Sequence, residues 1–261
     1  MDIIKDDLLI LKQRLESSFG DPFPNAILKR FICSGSKYIR SSLAVLYLKS
    51  QNIEITEDLL KILVVGEIIH NASLLHDDVL DEAQTRRGET TIAKKFSSKI
   101  SVLAGDYLLL NAIEKLLELR DFDIIELFKK CTKQMTEAEI KQYFLRDKIP
   151  TEQEYIEICN GKTASLFSAI LEACSKISNT DIKQAKAFGK IYGICFQIKN
   201  DLDKESSEVD KTNGIYTAKE VLGIEKTQNL LDNYKKEMSK EIEKFPQNIY
   251  RESLKDLIDL L

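Results

Sequence analysis

The chain has 261 residues, of which 43% are hydrophobic and 31% charged, and its net charge is −4. This composition is ordinary for a globular protein and is sufficient for one large core. The acidic balance argues against a nucleic-acid partner. No uninterrupted apolar run reaches the roughly 18 residues of a membrane span, and the first residues do not form a signal peptide. We therefore expect a chain without a transmembrane segment.

The five cysteines indicate the compartment. They are odd in number, no two of them form a CxxC pair, and they are spread widely over a long chain. This usage is typical of reduced thiols in a core and not of disulfides or zinc ligands. The sequence therefore predicts a cytoplasmic protein.

Helical periodicity runs through most of the chain, and the alternation typical of strands is nearly absent. Thr151 and Glu154 follow Pro150 and form a capping box, which marks a helix start. The predicted helices span residues 2–19, 25–33, 38–50, 56–81, 99–118, 122–147, 151–176, 179–204, 212–222 and 224–244, with a last helix from about residue 247. No repeat or linker divides the chain, so the sequence predicts one all-α domain over residues 1–261.

A basic turn precedes the third predicted helix. A turn glycine, Gly35, is followed by Lys37 and Arg40 near a predicted helix start, in the run Gly35-Ser36-Lys37-Tyr38-Ile39-Arg40. The start of a helix is a favourable place for an anion. Taken alone, however, such a run is more typical of a surface turn.

The most informative stretch is the run from His70 to Gly88. Asp77 and Asp81 are one helical turn apart, so their carboxylates share a face and repel each other, whereas Asp78 points to the side. The helix dipole also disfavours carboxylates near a helix end, and a bridging divalent cation would remove both penalties. Arg86 and Arg87 follow at once, and adjacent guanidinium groups suit phosphate oxygens. The alternative is a solvated acidic helix end followed by a basic loop.

The pattern before the aspartates weakens that alternative. Apolar residues recur there at three- and four-residue steps, which indicates a core-facing helix. His70 lies two turns before Asp77 on the same face. The recurring apolar positions are Val64, Val65, Ile68, Ala72, Leu75 and Val79.

Two polar runs lie in later helices. Asn160-Gly161-Lys162-Thr163 resembles the tail of a P-loop, but Ile156 stands where the upstream glycine is required and no strand precedes the run. We reject a P-loop and expect Lys162 to reach a pocket from the helix. The second run, residues 196–203, places Asn200 and Asp201 at the end of another apolar helix.

Taken together, these motifs resemble the trans-isoprenyl diphosphate synthases, the head-to-tail polyprenyl synthetases. The resemblance covers nearly the whole chain in the order of the family. Lys37 and Arg40 match the GGKxxR motif, with Ser36 in place of the second glycine. His70 and residues 73–88 match the first aspartate-rich region, DDxxD followed by RRG. The remaining matches are Gly105-Asp106 to the GD helix, Lys162-Thr163 to the KT motif, and Gln197 to Asp201 to the second aspartate-rich motif.

The resemblance implies an all-α helical barrel or bundle around a deep central cavity, usually as a homodimer. It implies Mg²⁺-dependent condensation of isopentenyl diphosphate with an allylic diphosphate, with three Mg²⁺ ions per active site once substrate is bound. The implied metal ligands are Asp77, Asp81, Asn200 and Asp201. Arg86, Lys162, Thr163 and Gln197 would bind the allylic diphosphate, the last three as catalytic residues. Lys37, Arg40, His70 and Arg87 would bind isopentenyl diphosphate.

The second aspartate-rich motif departs from the family, because Asn200 replaces its first aspartate and Lys204 its last. Together with Glu208, this run is similar to the NDLxSxxxE motif of class I terpene cyclases, except that Lys204 stands at the serine position. Cyclases bind no second substrate, so the cationic set favours a synthase. The sequence also leaves open two further classes, a short-chain farnesyl or geranylgeranyl diphosphate synthase and a non-catalytic partner subunit.

Residues before the first motif predict the length of the product. Ala72 and Ser73 lie one turn deeper on the helix than Asp77, and both are small. In a cavity along this helix, small residues leave the elongating chain room, and Ile69 is the next candidate to stop it. We expect a product longer than C15, in the hexaprenyl to octaprenyl range that supplies quinone side chains.

Overall fold

The computed structural model describes residues 2–19, 25–33, 35–203 and 210–261, except for the side chains of residues 25 and 26. Almost all regular structure in these ranges is helical, which confirms the all-α prediction. The helices are α1 (Lys5–Ser17), α2 (Asn25–Cys33), α3 (Ile39–Lys49), α4 (Glu57–Leu80), α5 (Ile92–Lys95), α6 (Ser98–Glu118), α7 (Phe122–Phe144), α8 (Glu152–Cys159), α9 (Ser165–Ile177), α10 (Ile182–Leu202), α11 (Ala218–Leu222), α12 (Ile224–Ile242) and α13 (Ile249–Asp259). A 3₁₀ turn (Asp2–Ile4) precedes α1, and a π-helical turn (Asn160–Ala164) joins α8 to α9.

Side-chain caps explain where several helices begin. In each case a polar side chain accepts a hydrogen bond from a backbone N–H of the first turn, which satisfies a donor that the helix itself leaves unpaired. At α8 both halves of the capping box between Thr151 and Glu154 form, as predicted. The capping residues are Thr56, Thr91, Ser97, Thr151, Asp181 and Asn248.

Several sequence-based boundaries were wrong. The helix predicted for residues 122–147 ends at Phe144. The one predicted for 212–222 is broken at residues 213–217, where Gly214 adopts a left-handed φ of 69°, and resumes at Ala218. The stretch between α4 and α6, expected as a loop, contains α5 and a hairpin of β1 (Thr85–Arg86) and β2 (Glu89–Thr90). The helix predicted for residues 151–176 is interrupted by the π turn.

The structure contains two compact units. The first contains residues 1–45 and 55–125, and the second contains residues 46–54 and 126–261. The single domain predicted for residues 1–261 stays a prediction. In the first unit, α4 packs against α1, α5 and α6, and in the second, α10 packs against α9 and α12.

Helix α4 is the central helix of the first unit. By length and composition alone it could cross a membrane, but 72% of its most apolar stretch of 18 residues is buried inside the structure. That burial is typical of the core helix of a globular protein. Close packing on α6 explains it: Gly105 leaves room for the His76 ring, and the Ser101 hydroxyl donates to the Leu75 carbonyl at 2.8 Å.

Candidate functional site

Three carboxylates stand at the carboxyl end of α4. The N–H of Asp81 donates to the carbonyl of Asp77 at 2.8 Å, so the helical turn between them is closed and the two residues share a face. Asp78 is fully buried, and its Oδ1 accepts a hydrogen bond from Arg86 Nε at 2.5 Å. Burial raises the pKa of the Asp78 carboxyl, and the charge of Arg86 opposes that rise.

The chemistry of this helix end fits Mg²⁺. Asp77 and Asp81 are half-buried carboxylates one turn apart, and Mg²⁺ is usually held by one or two carboxylates together with water and substrate phosphates. Within the described ranges no three His, Cys, Asp or Glu side chains converge as a metal cage. An ion here would therefore take most of its ligands from water or a phosphorylated ligand. The metal roles of Asp77 and Asp81 stay predictions.

The RRG sequence forms the tight turn of the β1–β2 hairpin. Arg86 pairs with Glu89 across the hairpin, and the two residues between them, Arg87 and Gly88, have φ values of 53° and 79°. Positive φ at both central positions defines a type I′ turn. Arg87 thus holds a conformation that non-glycine residues rarely adopt. This turn places both arginines against α4, where Arg86 contacts Asp78 and Arg87 contacts Asn71.

A cluster of cationic groups surrounds His70. A Cβ atom on Gly35 would lie 3.1 Å from the Cβ of Arg87, so the loop that carries Lys37 lies against the hairpin. The pKa of His70 is well below its usual value because of burial and the charges of Arg40, Arg87 and Arg86. His70 is therefore neutral at pH 7 beside several guanidinium groups, an arrangement that suits a multiply charged anion.

Sequence reasoning missed two partners of this cluster. Glu67 is buried on α4, and its Oε1 accepts a hydrogen bond from the Ser41 hydroxyl at 2.6 Å. Burial raises the pKa of Glu67, whereas Arg40 and Arg87 lower it. Asn71 accepts from Arg87 Nη1 at 3.4 Å. Both partners are 16 or more residues distant from the groups they contact, so no local pattern reveals them.

The structure makes the role predicted for Arg40 testable. If Arg40 binds isopentenyl diphosphate, as the resemblance implies, Arg40→Ala should raise the KM for that substrate by about tenfold or more and change the KM for the allylic substrate much less, because it removes binding at one subsite. Steady-state kinetics with each substrate varied in turn would measure both values. Arg14→Ala, which removes an exposed arginine that pairs with Glu57, is the matched control. A selective loss of allylic affinity would show that the assignment is wrong.

In the second unit, the π turn Asn160–Ala164 presents Lys162 and Thr163. Such turns inside α-helices often occur at functional sites. A Cβ on Gly161 would overlap Ala138 of α7, and a Cβ on Gly193 of α10 would overlap the backbone of Ala164. The turn is therefore packed tightly on both sides. Because helix α8 and not a strand precedes it, the rejection of a P-loop is confirmed.

Lys162 has two partners on α7 that the sequence did not reveal. Its Nζ lies 2.6 Å from Glu139 Oε2 and donates to Gln142 Oε1 at 2.7 Å. Glu139 is mostly shielded from solvent, so this ion pair is stronger than a surface pair. A diphosphate that binds Lys162 would have to compete with the Glu139 carboxylate. The predicted role of Lys162 in substrate binding stays a prediction.

Thr163 and Gln197 meet in a hydrogen-bonded chain. The Thr163 hydroxyl donates to Gln197 Oε1 at 2.9 Å, and Gln197 Nε2 donates to Asp201 Oδ1 at 2.7 Å. Asn200 is half-buried beside Asp201 at the end of α10. Lys204 and Glu208, on which the comparison with terpene cyclases depends, lie outside the described residues. The metal roles of Asn200 and Asp201 also stay predictions.

The three residues predicted to set product length differ in their surroundings. Ala72 and Ile69 are buried and lie one and two turns before His76, on the side of α4 that packs against α6. Ser73 is half-buried, and its hydroxyl donates to the carbonyl of His70 at 2.8 Å. Ser73 is therefore the least buried of the three.

An all-α fold with paired carboxylates and clustered guanidinium groups has the features of an enzyme class that binds phosphorylated substrates with metal ions. Residues 22–251 match the polyprenyl synthetase family. A prenyl transferase of Porphyra purpurea is 33% identical over 207 residues, which are 76% of this chain and 64% of that protein. The chain belongs to the polyprenyl synthetase family.

Two further comparisons agree with that membership. Solanesyl-diphosphate synthase 2 of Oryza sativa subsp. japonica is 30% identical over 213 residues, 77% of this chain and 53% of that protein. The crystal structure of a decaprenyl diphosphate synthase from Rhodobacter capsulatus has the same fold, with a TM-score of 0.86, 21% identity and coverage of 99% of this chain and 96% of that one. The chain thus spans less than two thirds of the length of the curated relatives it matches.

Proposed function

We propose that this chain is a prenyltransferase that joins isopentenyl diphosphate head-to-tail to an allylic diphosphate, with Mg²⁺, and makes a polyprenyl diphosphate longer than C15. The observation that carries the proposal is the cationic cluster around neutral His70, next to the hairpin whose Arg86 donates a hydrogen bond to Asp78 of α4. A solanesyl-diphosphate synthase among the relatives supports the long product.

In this proposal, residues of α4, of the β1–β2 hairpin and around the start of α3 bind the two diphosphates. Asp77 and Asp81 would hold Mg²⁺, which neutralises the charge of a leaving pyrophosphate when bound. Arg86 is already oriented by its hydrogen bond to Asp78, the residue that follows Asp77. Arg40 and Arg87, together with Lys37 and His70, would hold isopentenyl diphosphate, because guanidinium groups bind phosphate oxygens in a bidentate manner.

Lys162, Thr163 and Gln197 act on the allylic substrate in this proposal. Lys162 would exchange its ion pair with Glu139 for the allylic diphosphate and stabilise the charge that develops on the leaving group. The Gln197 amide and the Thr163 hydroxyl, linked at 2.9 Å, supply dipoles toward the allylic carbocation. The released pyrophosphate takes up the proton that is lost when the new double bond forms.

One incubation tests the proposal. The purified chain is mixed with Mg²⁺, farnesyl diphosphate and labelled isopentenyl diphosphate, and the products are dephosphorylated and separated by chromatography. Chains longer than C15 support the proposal. Products that end at farnesyl or geranylgeranyl length identify a short-chain synthase, and a hydrocarbon formed from farnesyl diphosphate alone identifies a terpene cyclase. Turnover that requires a second protein identifies a partner subunit.

The altered second motif leads to a prediction about metal dependence. An amide oxygen is a weaker Mg²⁺ ligand than a carboxylate, so Asn200→Asp should leave activity equal or higher at low Mg²⁺ concentration. Initial rates measured over a series of Mg²⁺ concentrations give the comparison. Asn200→Ala serves as the control for loss of any ligand and should need more Mg²⁺. A collapse of activity in Asn200→Asp would indicate another role for the amide, such as a hydrogen bond to diphosphate.

We also propose that the protein is a homodimer through an apolar face of α6. The four residues of this face follow one another at steps of seven, three and four residues and are well exposed for their type. Isologous pairing of such a face would remove it from water on both protomers. The residues are Leu103, Leu110, Ile113 and Leu117, which are 63%, 60%, 48% and 55% exposed.

The dimer proposal predicts the effect of a charge on this face. Leu110→Glu should convert a dimer into a monomer, because a buried unpaired carboxylate is costly at an interface. Light scattering after size-exclusion chromatography measures the mass. Ile224→Glu, which adds the same charge at a position 70% exposed in the second unit, should remain a dimer. A monomeric parent protein would remove the basis of the proposal.

We place the protein in the cytoplasm. All five cysteines are free thiols in the structure, and four of them are buried. Burial raises the pKa of Cys159 and Cys195 to about 12, which keeps these thiols protonated and unreactive. Such thiols fit a reducing compartment. There the product would supply the side chain of a quinone.

A further inference from the structure

Both oxygens of the Asp201 carboxylate are committed to protein donors. Oδ1 accepts from Gln197 Nε2 at 2.7 Å, and Oδ2 accepts from the Tyr155 hydroxyl at 2.7 Å and from the backbone N–H of Ala218 at 2.8 Å. Asp201 is only 2% exposed. A carboxylate with three donors, so nearly shielded from solvent, has little capacity left for a metal ion, which prefers accessible oxygens and water.

These three donors come from three different helices. Tyr155 is a buried residue of α8, Gln197 belongs to α10, and Ala218 is the fully buried first residue of α11. The neighbouring Thr217 forms a capping box with Glu220. The N–H of Ala218, in the same first turn of α11, donates instead to Asp201. A buried charge persists only when it is hydrogen-bonded in this way. Asp201 therefore joins these helices at one point.

The same carboxylate fixes the orientation of the Gln197 amide. Asp201 accepts but cannot donate when ionised, so the amide must turn its NH₂ group toward Asp201 and its oxygen toward Thr163. The Thr163 hydroxyl donates to that oxygen at 2.9 Å, which favours the same orientation. Without Asp201 the amide could rotate by 180°, and its dipole would reverse.

We propose that Asp201 is a positioning residue and not a metal ligand: held by Tyr155 and Ala218, it orients the Gln197 amide and, through it, the Thr163 hydroxyl. The inference rests on the proposed function, in which these two groups face the allylic carbocation. If Asp201 is not a ligand, Asn200 is the residue of the second motif that would bind metal. Tyr155, which no sequence motif identified, then has a role in holding Asp201 in place.

Two variants of the full chain separate positioning from metal binding. Asp201→Asn should lower kcat by about 10- to 100-fold, the size typical for loss of a supporting contact, and leave the Mg²⁺ concentration for half-maximal rate unchanged. A metal ligand would behave differently: half-saturation would move to much higher Mg²⁺, and excess Mg²⁺ would restore the rate. That result would overturn the inference.

Tyr155→Phe keeps the Asp201 carboxylate and removes one of its donors. We expect a smaller but clear loss of kcat, about three- to tenfold, with KM values and Mg²⁺ dependence unchanged. Tyr250→Phe, which removes the hydroxyl of a half-buried tyrosine on α13, is the matched control and should retain full activity. An unchanged kcat in Tyr155→Phe would contradict the positioning role. If Asp201→Asn does not fold, Tyr155→Phe alone still tests the proposal.

A binding measurement separates failure of the inference from failure of the proposed function. Calorimetric titration of Mg²⁺ in the presence of inorganic pyrophosphate needs no turnover. Parent protein and Asp201→Asn should bind Mg²⁺ with equal affinity. If the parent protein turned over no diphosphate yet bound Mg²⁺ equally to the variant, the prenyltransferase assignment would fail while the exclusion of Asp201 from the metal site would hold.

Discussion

Replacement of Asp77 by alanine should reduce turnover by about three orders of magnitude or more while the fold remains intact. The proposed reaction must stabilise the charge of a departing pyrophosphate, and metal ions supply several kcal/mol of such stabilisation. Asp77 shares a face with Asp81 at the end of α4, so the variant also removes a like-charge repulsion and should not destabilise the protein without metal. Incorporation of labelled isopentenyl diphosphate measures the rate, and circular dichroism monitors the fold.

The comparison requires a carboxylate that lies on the same helix but far from the site. Asp58 stands in the first turn of α4 and pairs with Lys61 at 3.2 Å on the surface. Asp58→Ala should retain full activity and lose at most a few tenths of a kcal/mol from the helix dipole. If Asp77→Ala reached the parental rate at saturating Mg²⁺, the metal hypothesis would be wrong.

Replacement of Ser73 by phenylalanine should shorten the product from the expected hexaprenyl to octaprenyl range to about the farnesyl or geranylgeranyl level. One helical turn rises about 5.4 Å, comparable to one extended isoprene unit, so a large ring one turn from Asp77 stops growth early. Ser73 is half-buried, so a ring at this position is less enclosed than one at a fully buried position. Ala72→Phe should shorten the product too, but Ala72 is fully buried, so overpacking should also lower its stability.

Chromatography of dephosphorylated products measures chain length directly. Ser73→Ala, which loses the hydrogen bond to the His70 carbonyl but adds no volume, should make chains of parental length. The rate of the first condensation should change little in either variant. If the parent protein makes no product longer than C15, or if Ser73→Phe makes chains of unchanged length, this side of α4 does not limit the length of the product.

The helices were predictable because their signals are local. Periodicity located α4, and the Thr151–Glu154 box located the start of α8. The β1–β2 hairpin was not predictable, since strands of two residues show no alternation and its turn places an arginine where glycine or asparagine is usual. The break before α11 depends on Gly214, whose carbonyl accepts from the distant Asp147 N–H.

The candidate site was predictable in its charged groups but not in their partners. The spacing of Asp77 and Asp81 and the pair Arg86-Arg87 follow from the sequence alone. Their restraints come from residues distant in the chain, such as Glu139, which pairs with Lys162 across more than 20 positions. Acidic residues of that kind resemble surface charges until packing buries them. Asp201 shows the limit most clearly, because its motif indicates a metal whereas its contacts are hydrogen bonds within the protein.

The π turn at Asn160–Ala164 makes the positions of Lys162 and Thr163, two predicted site residues, depend on residue number as well as residue type. A π turn accommodates one residue more than an α-helical turn, and each residue rotates the following side chains by about 100°. Removing a single residue here would restore a continuous α-helix and rotate α9 relative to α8. Lys162 and Thr163 could then remain in the sequence, in order, and still face the wrong way. In this segment, we expect the deletion of one residue to misplace Lys162 and Thr163 as effectively as a substitution of either residue would remove them.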